Sequence, residues 1–217
     1  MLTRRLYPPS GPGLDFRFPL AETKLMKISG IWRLVAFLFF SAALSSSCNK
    51  TISLVKIDDG LNAEEHIRLG SIYLANGETF QARQQFQRAT IEDRKNADGW
   101  FGLGLAEHSL GHFRSAALAF EKVLNLKPDY AEAHNNLADS YLRLGKIEDA
   151  VREARAAIRL GGEQAAFYHL TYAEALIAVH DLKSACAEME AARNLGRDNP
   201  LLLGQLEPLE IKHCHGR

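Results

Sequence analysis

The residues with the most chemical reach lie near the C-terminus, where His213-Cys214-His215 offers two imidazoles and a thiol. These are zinc-donor types, yet three consecutive residues cannot all converge on one ion in regular structure, and no fourth ligand accompanies them. His108 and His112 stand four apart, as a helical zinc pair would, but Gly111 between them ends the helix that such a pair needs. His66, His134, His169 and His180 are scattered over separate helices, with no Ser or Cys set beside them as a nucleophile. No phosphate-cradling glycine loop, nucleophile elbow or paired-carboxylate pattern is present. Arg152, Arg155 and Arg159 share one side of a predicted helix; a solvated outer face is expected, with Glu148 pairing to Arg152 four residues on. The expectation is a chain that is not an enzyme and takes no cofactor, metal or small-molecule substrate.

The elements that must position these residues follow from an internal period. Leu69, Leu103 and Leu137 recur every 34 residues, in step with Gly70, Gly104 and Ala138, with Gly77, Gly111 and Gly145, with Ala82, Ala116 and Ala150, and with Phe86 and Phe120. A fixed period of this length marks a helix-turn-helix unit stacked on copies of itself. The predicted units are 63–96, 97–130 and 131–164. In each, a first helix ends at the glycine, which takes the left-handed conformation without a Cβ clash. A fourth, decayed unit over 165–199 continues the ladder through Ala173, Ala185, Met189 and Ala192 after a step of 35, with Asp181 in the turn. Residues 200–217 read as a capping helix, interrupted around Pro208, and a tail from Ile211 that frays. The small residues mark where helices approach closely, and Phe86, Trp100, Phe120 and Tyr141 fill the space between layers.

This pattern resembles the tetratricopeptide repeat. Trp100, Leu103, Gly104, Gly111, Ala116, Phe120 and Pro128 carry the resemblance in the second unit; Leu69, Gly70, Tyr73, Gly77, Ala82, Phe86 and Ala89 carry it in the first. The third unit departs from it, with Ala154 where an aromatic belongs. The resemblance implies an all-α fold, a right-handed α-solenoid of about four repeats plus a C-terminal capping helix. It also implies a function: a partner protein or peptide lies in a concave groove lined by the first helices. The groove residues are then Asp98, Phe101, Leu105 and His108, Asn135 and Asp139, and Phe167 and Glu174, with Glu64, Ile67, Ser71, Glu132 and Leu170 alongside. Packing competes with exposure for Ile67, Leu105 and Leu170, whereas Phe101 and Phe167 are the stronger anchors. Family members that clamp a chaperone's terminal carboxylate use Lys, Arg and Asn; here those places hold Phe101, Leu105, Asn136, Phe167 and Thr171, and only Asn136 fits. A ligand with apolar and basic side chains is expected instead.

The zero net charge conceals two opposite halves. Residues 1–47 hold six basic and two acidic side chains, whereas 48–217 hold 20 basic and 24 acidic, which argues against nucleic acid as a partner. The basic head reads as a disordered leader and a signal peptide, with Met26 the expected true start. The apolar run Leu34 to Leu44 spans about 16 Å as a helix, too short for a bilayer core that needs about 20 residues. Ser45-Ser46-Ser47-Cys48 resembles the lipobox of bacterial lipoproteins, although Leu44 sits one residue too early. The resemblance implies lipidation of Cys48 at the head of a linker over 48–62, with ordinary cleavage nearby or a retained anchor as alternatives. Cys186 and Cys214 are expected as inert thiols, with a disulfide as the alternative. The expected location is the outer membrane, facing the periplasm, or the periplasm itself after cleavage. A scaffold for an envelope complex is the leading function, and a regulatory or sensor subunit of a larger enzyme or secretion system is the alternative.

Overall fold

The structure, a computed structural model, describes residues 60–214. Expectations for the leader, Cys48 and His215 lie outside the described residues. Nine helices and no strand occur within them: α1 (Ala63–Ala75), α2 (Thr79–Glu92), α3 (Ala97–Ser109), α4 (Phe113–Leu126), α5 (Ala131–Arg143), α6 (Ile147–Leu160), α7 (Ala165–Ala178), α8 (Leu182–Leu195) and α9 (Pro200–His213).

Local chemistry sets these boundaries. Asn62 opens α1 with a capping box, its side chain accepting from Glu65 N while Glu65 accepts from Asn62 N. Asn96 and Asn199 cap α3 and α9 in the same way from one side. Each first helix closes with a left-handed residue and two backbone bonds. At the first turn, Gly77 N donates to Leu74 O and Glu78 N to Tyr73 O, with Gly77 at φ 78°. The fourth turn repeats that geometry with His180 at φ 63°, donating to Ile177 O. His180, not Asp181, therefore holds the glycine position; Asp181 is the N-cap of α8, accepting from Ser184 N. The 35-residue step accounts for the difference.

Each helix packs on its chain neighbour, and the first helices of successive repeats also touch: α1 with α3, α3 with α5, α5 with α7. Second helices of successive repeats make no such contact among the described residues. The stack therefore curves toward its first helices, whose shared side is concave. Inside, aromatic rings lie where a side chain is missing. The Phe86 ring fits between Gly70 and Gly102, and the Phe120 ring fits against Gly104. Where Ala154 replaces the aromatic, Ala138 replaces the glycine, and Ala173 faces the layer of Met189. The volumes compensate from repeat to repeat, as close packing requires.

The C-terminal end corrects three expectations. Helix α9 runs unbroken through Pro208. Pro208 leaves the Gly204 carbonyl without its helical donor, but both residues are exposed, so water can replace the bond. Leu202 and Leu206, fully buried, hold the helix down. The segment from Ile211 to Cys214 is likewise ordered, because Cys214 is disulfide-bonded to Cys186 on α8. The expectation of free thiols fails because docking of α9 brings its end back over α8. Arg193 of α8 also holds both carboxylate oxygens of Glu210 on α9. Elsewhere, on α6, Arg152 pairs with Asp149 at 2.8 Å and with Glu153, rather than with Glu148.

Candidate functional site

On the concave side, α1 and α3 enclose a groove of about 460 Å³. Ile67, Ser71, Leu74 and Ala75 line it from α1; Asp98, Phe101, Gly102 and Leu105 line it from α3. Phe86 forms its floor, visible there because Gly102 carries no side chain. Phe101 is half-buried. Its ring stacks on Tyr130 at 5.0 Å and tilts against Phe120 at 5.8 Å, so the core fixes the face it shows the groove. Leu105 likewise serves both core and groove. Asp98 stands at the rim, 60% exposed, and pairs with Lys127 Nζ at 2.9 Å. At that exposure the pair is worth little, so a ligand cation can compete for the carboxylate.

His108, Asn135, Asp139 and Glu174 belong to a second, polar region farther along the first helices. His108 Nε2 lies 2.6 Å from Asp139 Oδ2, and Arg143 reaches the other oxygen at 3.4 Å. Burial pushes the Asp139 carboxyl up, but its contacts with the His108 ring and with the Arg143 guanidinium outweigh it and hold the group below its usual range. Glu174 responds oppositely: burial, then the neighbouring charge of Asp139, push it up. Asn135 precedes Asp139 by one helical turn, and its side-chain Oδ1 is buried without a hydrogen-bond partner.

Two expected residues fall elsewhere. Phe167 packs half-buried against the α7–α9 core, away from the α1–α3 groove, and Leu170, 3% exposed, is core. Both sit on α7, where the capping helix closes over the layer. Asn136, the lone match to the carboxylate clamp, donates to Glu132 O and is spent on its own helix.

Sequence reasoning missed a recurrent staple between first and second helices. His66 Nδ1 meets Gln85 Oε1 at 2.8 Å, His134 Nδ1 meets Glu153 Oε2 at 2.8 Å, and His169 Nδ1 meets Glu188 Oε2 at 2.6 Å. Each pair spans 19 residues. The three histidines occupy one repeat position, which Trp100 takes in the second repeat. His134 is bound at both nitrogens, its Nε2 3.0 Å from Pro128 O. A carboxylate and a carbonyl only accept, so the form that satisfies both contacts is the imidazolium, with both nitrogens donating. The Glu153 bond raises its pKa against the effect of burial, and Glu153 is lowered in return. These histidines are structural fasteners. Among the described residues no three His, Cys, Asp or Glu side chains gather as a metal site, and no helix is long and apolar enough to cross a membrane.

Comparisons with known proteins match the repeat architecture. A tetratricopeptide-repeat family model matches residues 67–111, 109–166 and 136–197, which together span more than half of the chain. The tetratricopeptide repeat-containing protein trd-1 of Caenorhabditis elegans is 26% identical over 109 residues, which are 50% of this chain but only 14% of that protein. The structure of TTC0263, a thermophilic protein with these repeats from Thermus thermophilus, superposes with a TM-score of 0.63 at 22% identity. The match covers 71% of this chain and 84% of that one. Pseudomonas aeruginosa pilF gives 0.61 at 20% identity, covering 69% and 68%. At these identities the structural likeness concerns the fold.

Proposed function

The chain belongs to the tetratricopeptide-repeat family, whose members generally mediate protein–protein interactions, and from that premise we propose that it is a non-enzymatic adaptor. It holds a partner polypeptide in the α1–α3 groove while a lipid on Cys48 tethers it to the outer membrane, facing the periplasm, where it serves assembly of an envelope complex. The observation that carries this reading is the groove itself: an apolar floor of Phe86, Phe101 and Leu105 with Asp98 at its edge. That combination suits a segment whose apolar side chain enters the groove and whose Lys or Arg reaches the rim. Aromatic anchors of this kind dominate interface energies. The Cys186–Cys214 disulfide supports an oxidising compartment, since such bonds are rare in the cytosol.

The groove is tested by filling it. Ser71 and Ala75 are exposed and line it, so Ser71→Trp and Ala75→Trp block it without entering the core. The blocked variants should fold normally and lose the partner that the parent chain retains on purification from detergent-solubilised membranes. Retention of that partner by both would refute the groove reading. The anchor is tested separately by fatty-acid labelling: label should enter the parent and be absent from Cys48→Ser.

A further inference from the structure

A second cavity, of about 290 Å³, lies between α4 and the end of α5, lined by none of the groove residues. Helix α4 presents one face to it: Arg114, Ala117, Leu118 and Glu121, at spacings of three, four and seven. Tyr141 of α5 and Leu144, the residue that caps its C-terminus, form the opposite wall, and Lys146 of the following turn stands at the mouth.

Its chemistry is asymmetric. The floor is apolar and fixed, since Ala117 and Tyr141 are buried in the second-repeat core. Leu118 is 57% exposed, a leucine on the outer side of α4. The one carboxylate of the lining, Glu121, accepts from the Tyr141 hydroxyl at 2.8 Å. Both cations are left without an acid. Arg114 has no ion pair among the described residues, and Lys146 Nζ lies 5.1 Å above the Tyr141 ring. Asp149 and Glu153, whose charges also reach Tyr141, are held by Arg152, so the lining itself sets two cations against the single Glu121 carboxylate, a net positive charge in a body with 24 acidic and 20 basic side chains. At about 300 Å³, the lower end of the range for ligand pockets, the cavity holds one side chain.

We propose that this cavity is a second docking site, for a partner segment in which a branched aliphatic residue is flanked by Asp or Glu. The aliphatic group rests on Ala117, Tyr141 and Leu144 beside Leu118, and the flanking carboxylate meets Arg114 and Lys146. The two sites then take ligands of opposite charge, which lets one adaptor bridge two proteins without competition. The proposal stands apart from the groove reading, because no residue is common to both.

Amide NMR of the isotopically labelled chain tests it, with capped tripeptides as probes. Acetyl-Asp-Leu-Glu-amide at millimolar concentration should shift the amides of residues 114–121 and 141–146, whereas acetyl-Lys-Leu-Lys-amide should not. Arg114 and Lys146 are exposed, so R114Q/K146Q should fold as the parent does and bind the acidic peptide roughly tenfold more weakly. Ser71→Trp should bind it unchanged. Equal shifts from the lysine peptide, undiminished binding by R114Q/K146Q, or shifts confined to the α1–α3 groove would each overturn the assignment.

Discussion

Gly104 lies directly under the ring of Phe120: a Cβ on Gly104 would stand 2.5 Å from Phe120 Cε1. The ring cannot retreat, because Phe120 is fully buried and Phe101 tilts against it from the groove side. Helix spacing and the groove wall are thus set by one contact. Gly104→Leu should therefore destabilise by about 1–3 kcal/mol or more through overpacking. Urea unfolding measures this. Gly104→Ala combined with Phe120→Ala imitates the Ala138–Ala154 layer, and should cost less than the sum of its single substitutions. Strict additivity would mean that the two positions do not share the space.

His180 occupies the left-handed turn position that Gly77, Gly111 and Gly145 fill in the other repeats. A side chain there costs about 1–2 kcal/mol, partly offset because glycine loses more entropy on folding. His180→Gly should accordingly stabilise by about 0.5–1 kcal/mol, read as a rise in thermal midpoint. A fall would show that the imidazole makes a contact the turn depends on.

The His134–Glu153 staple makes stability depend on pH. His134 is raised above its ordinary 6.5, so its contribution is complete below that value and is lost as pH rises through the higher, folded pKa. Glu153 is lowered below 4.5, so its contribution is complete above that value and is lost as pH falls through the folded one. The pair is strongest between about pH 4.5 and 6.5. Thermal midpoints at pH 6 and pH 9 should differ in the parent by the equivalent of on the order of 1 kcal/mol. Glu153→Gln should reduce that difference, and an unchanged difference would remove the staple from the account.

Reduction of the disulfide should act locally. The bond closes a loop across 28 residues, worth about 3–4 kcal/mol in chain entropy. In a stack each layer contacts only its neighbours, so the effect should stay at the C-terminal end. Hydrogen exchange should accelerate over 200–213 in Cys186→Ser/Cys214→Ser, while residues 63–109 keep their protection. Uniform acceleration would contradict a layered fold.

What could be read from the residues, and what could not, divides on physical grounds. The repeats were legible because each glycine and alanine reports a contact with a partner a fixed distance away in sequence. The Asp98, Phe101 and Leu105 wall followed from the family resemblance laid over that register. Leu74, Ala75 and Gly102 were not anticipated, since their exposure depends on how far α1 and α3 separate. The histidine staples were hidden by the 35-residue step that moves His169 out of the 34-residue ladder, and by Trp100 taking the same place. Pro208 read as a helix break because the solvent exposure that makes it tolerable is a tertiary property. The disulfide depended on the packing of Leu202 and Leu206, which no spacing rule conveys.

The proposed grip of the first-helix side on a polypeptide is open to direct test. It is tested most directly by placing a photo-activated cross-linking residue at Ser71 or Asp98, on the groove, and at Gln84, exposed on α2 and lining neither cavity. Irradiation of intact cells should join the chain to one protein from positions 71 and 98 and leave position 84 unlinked. Cross-links of equal yield from all three positions, or from position 84 alone, would contradict the account.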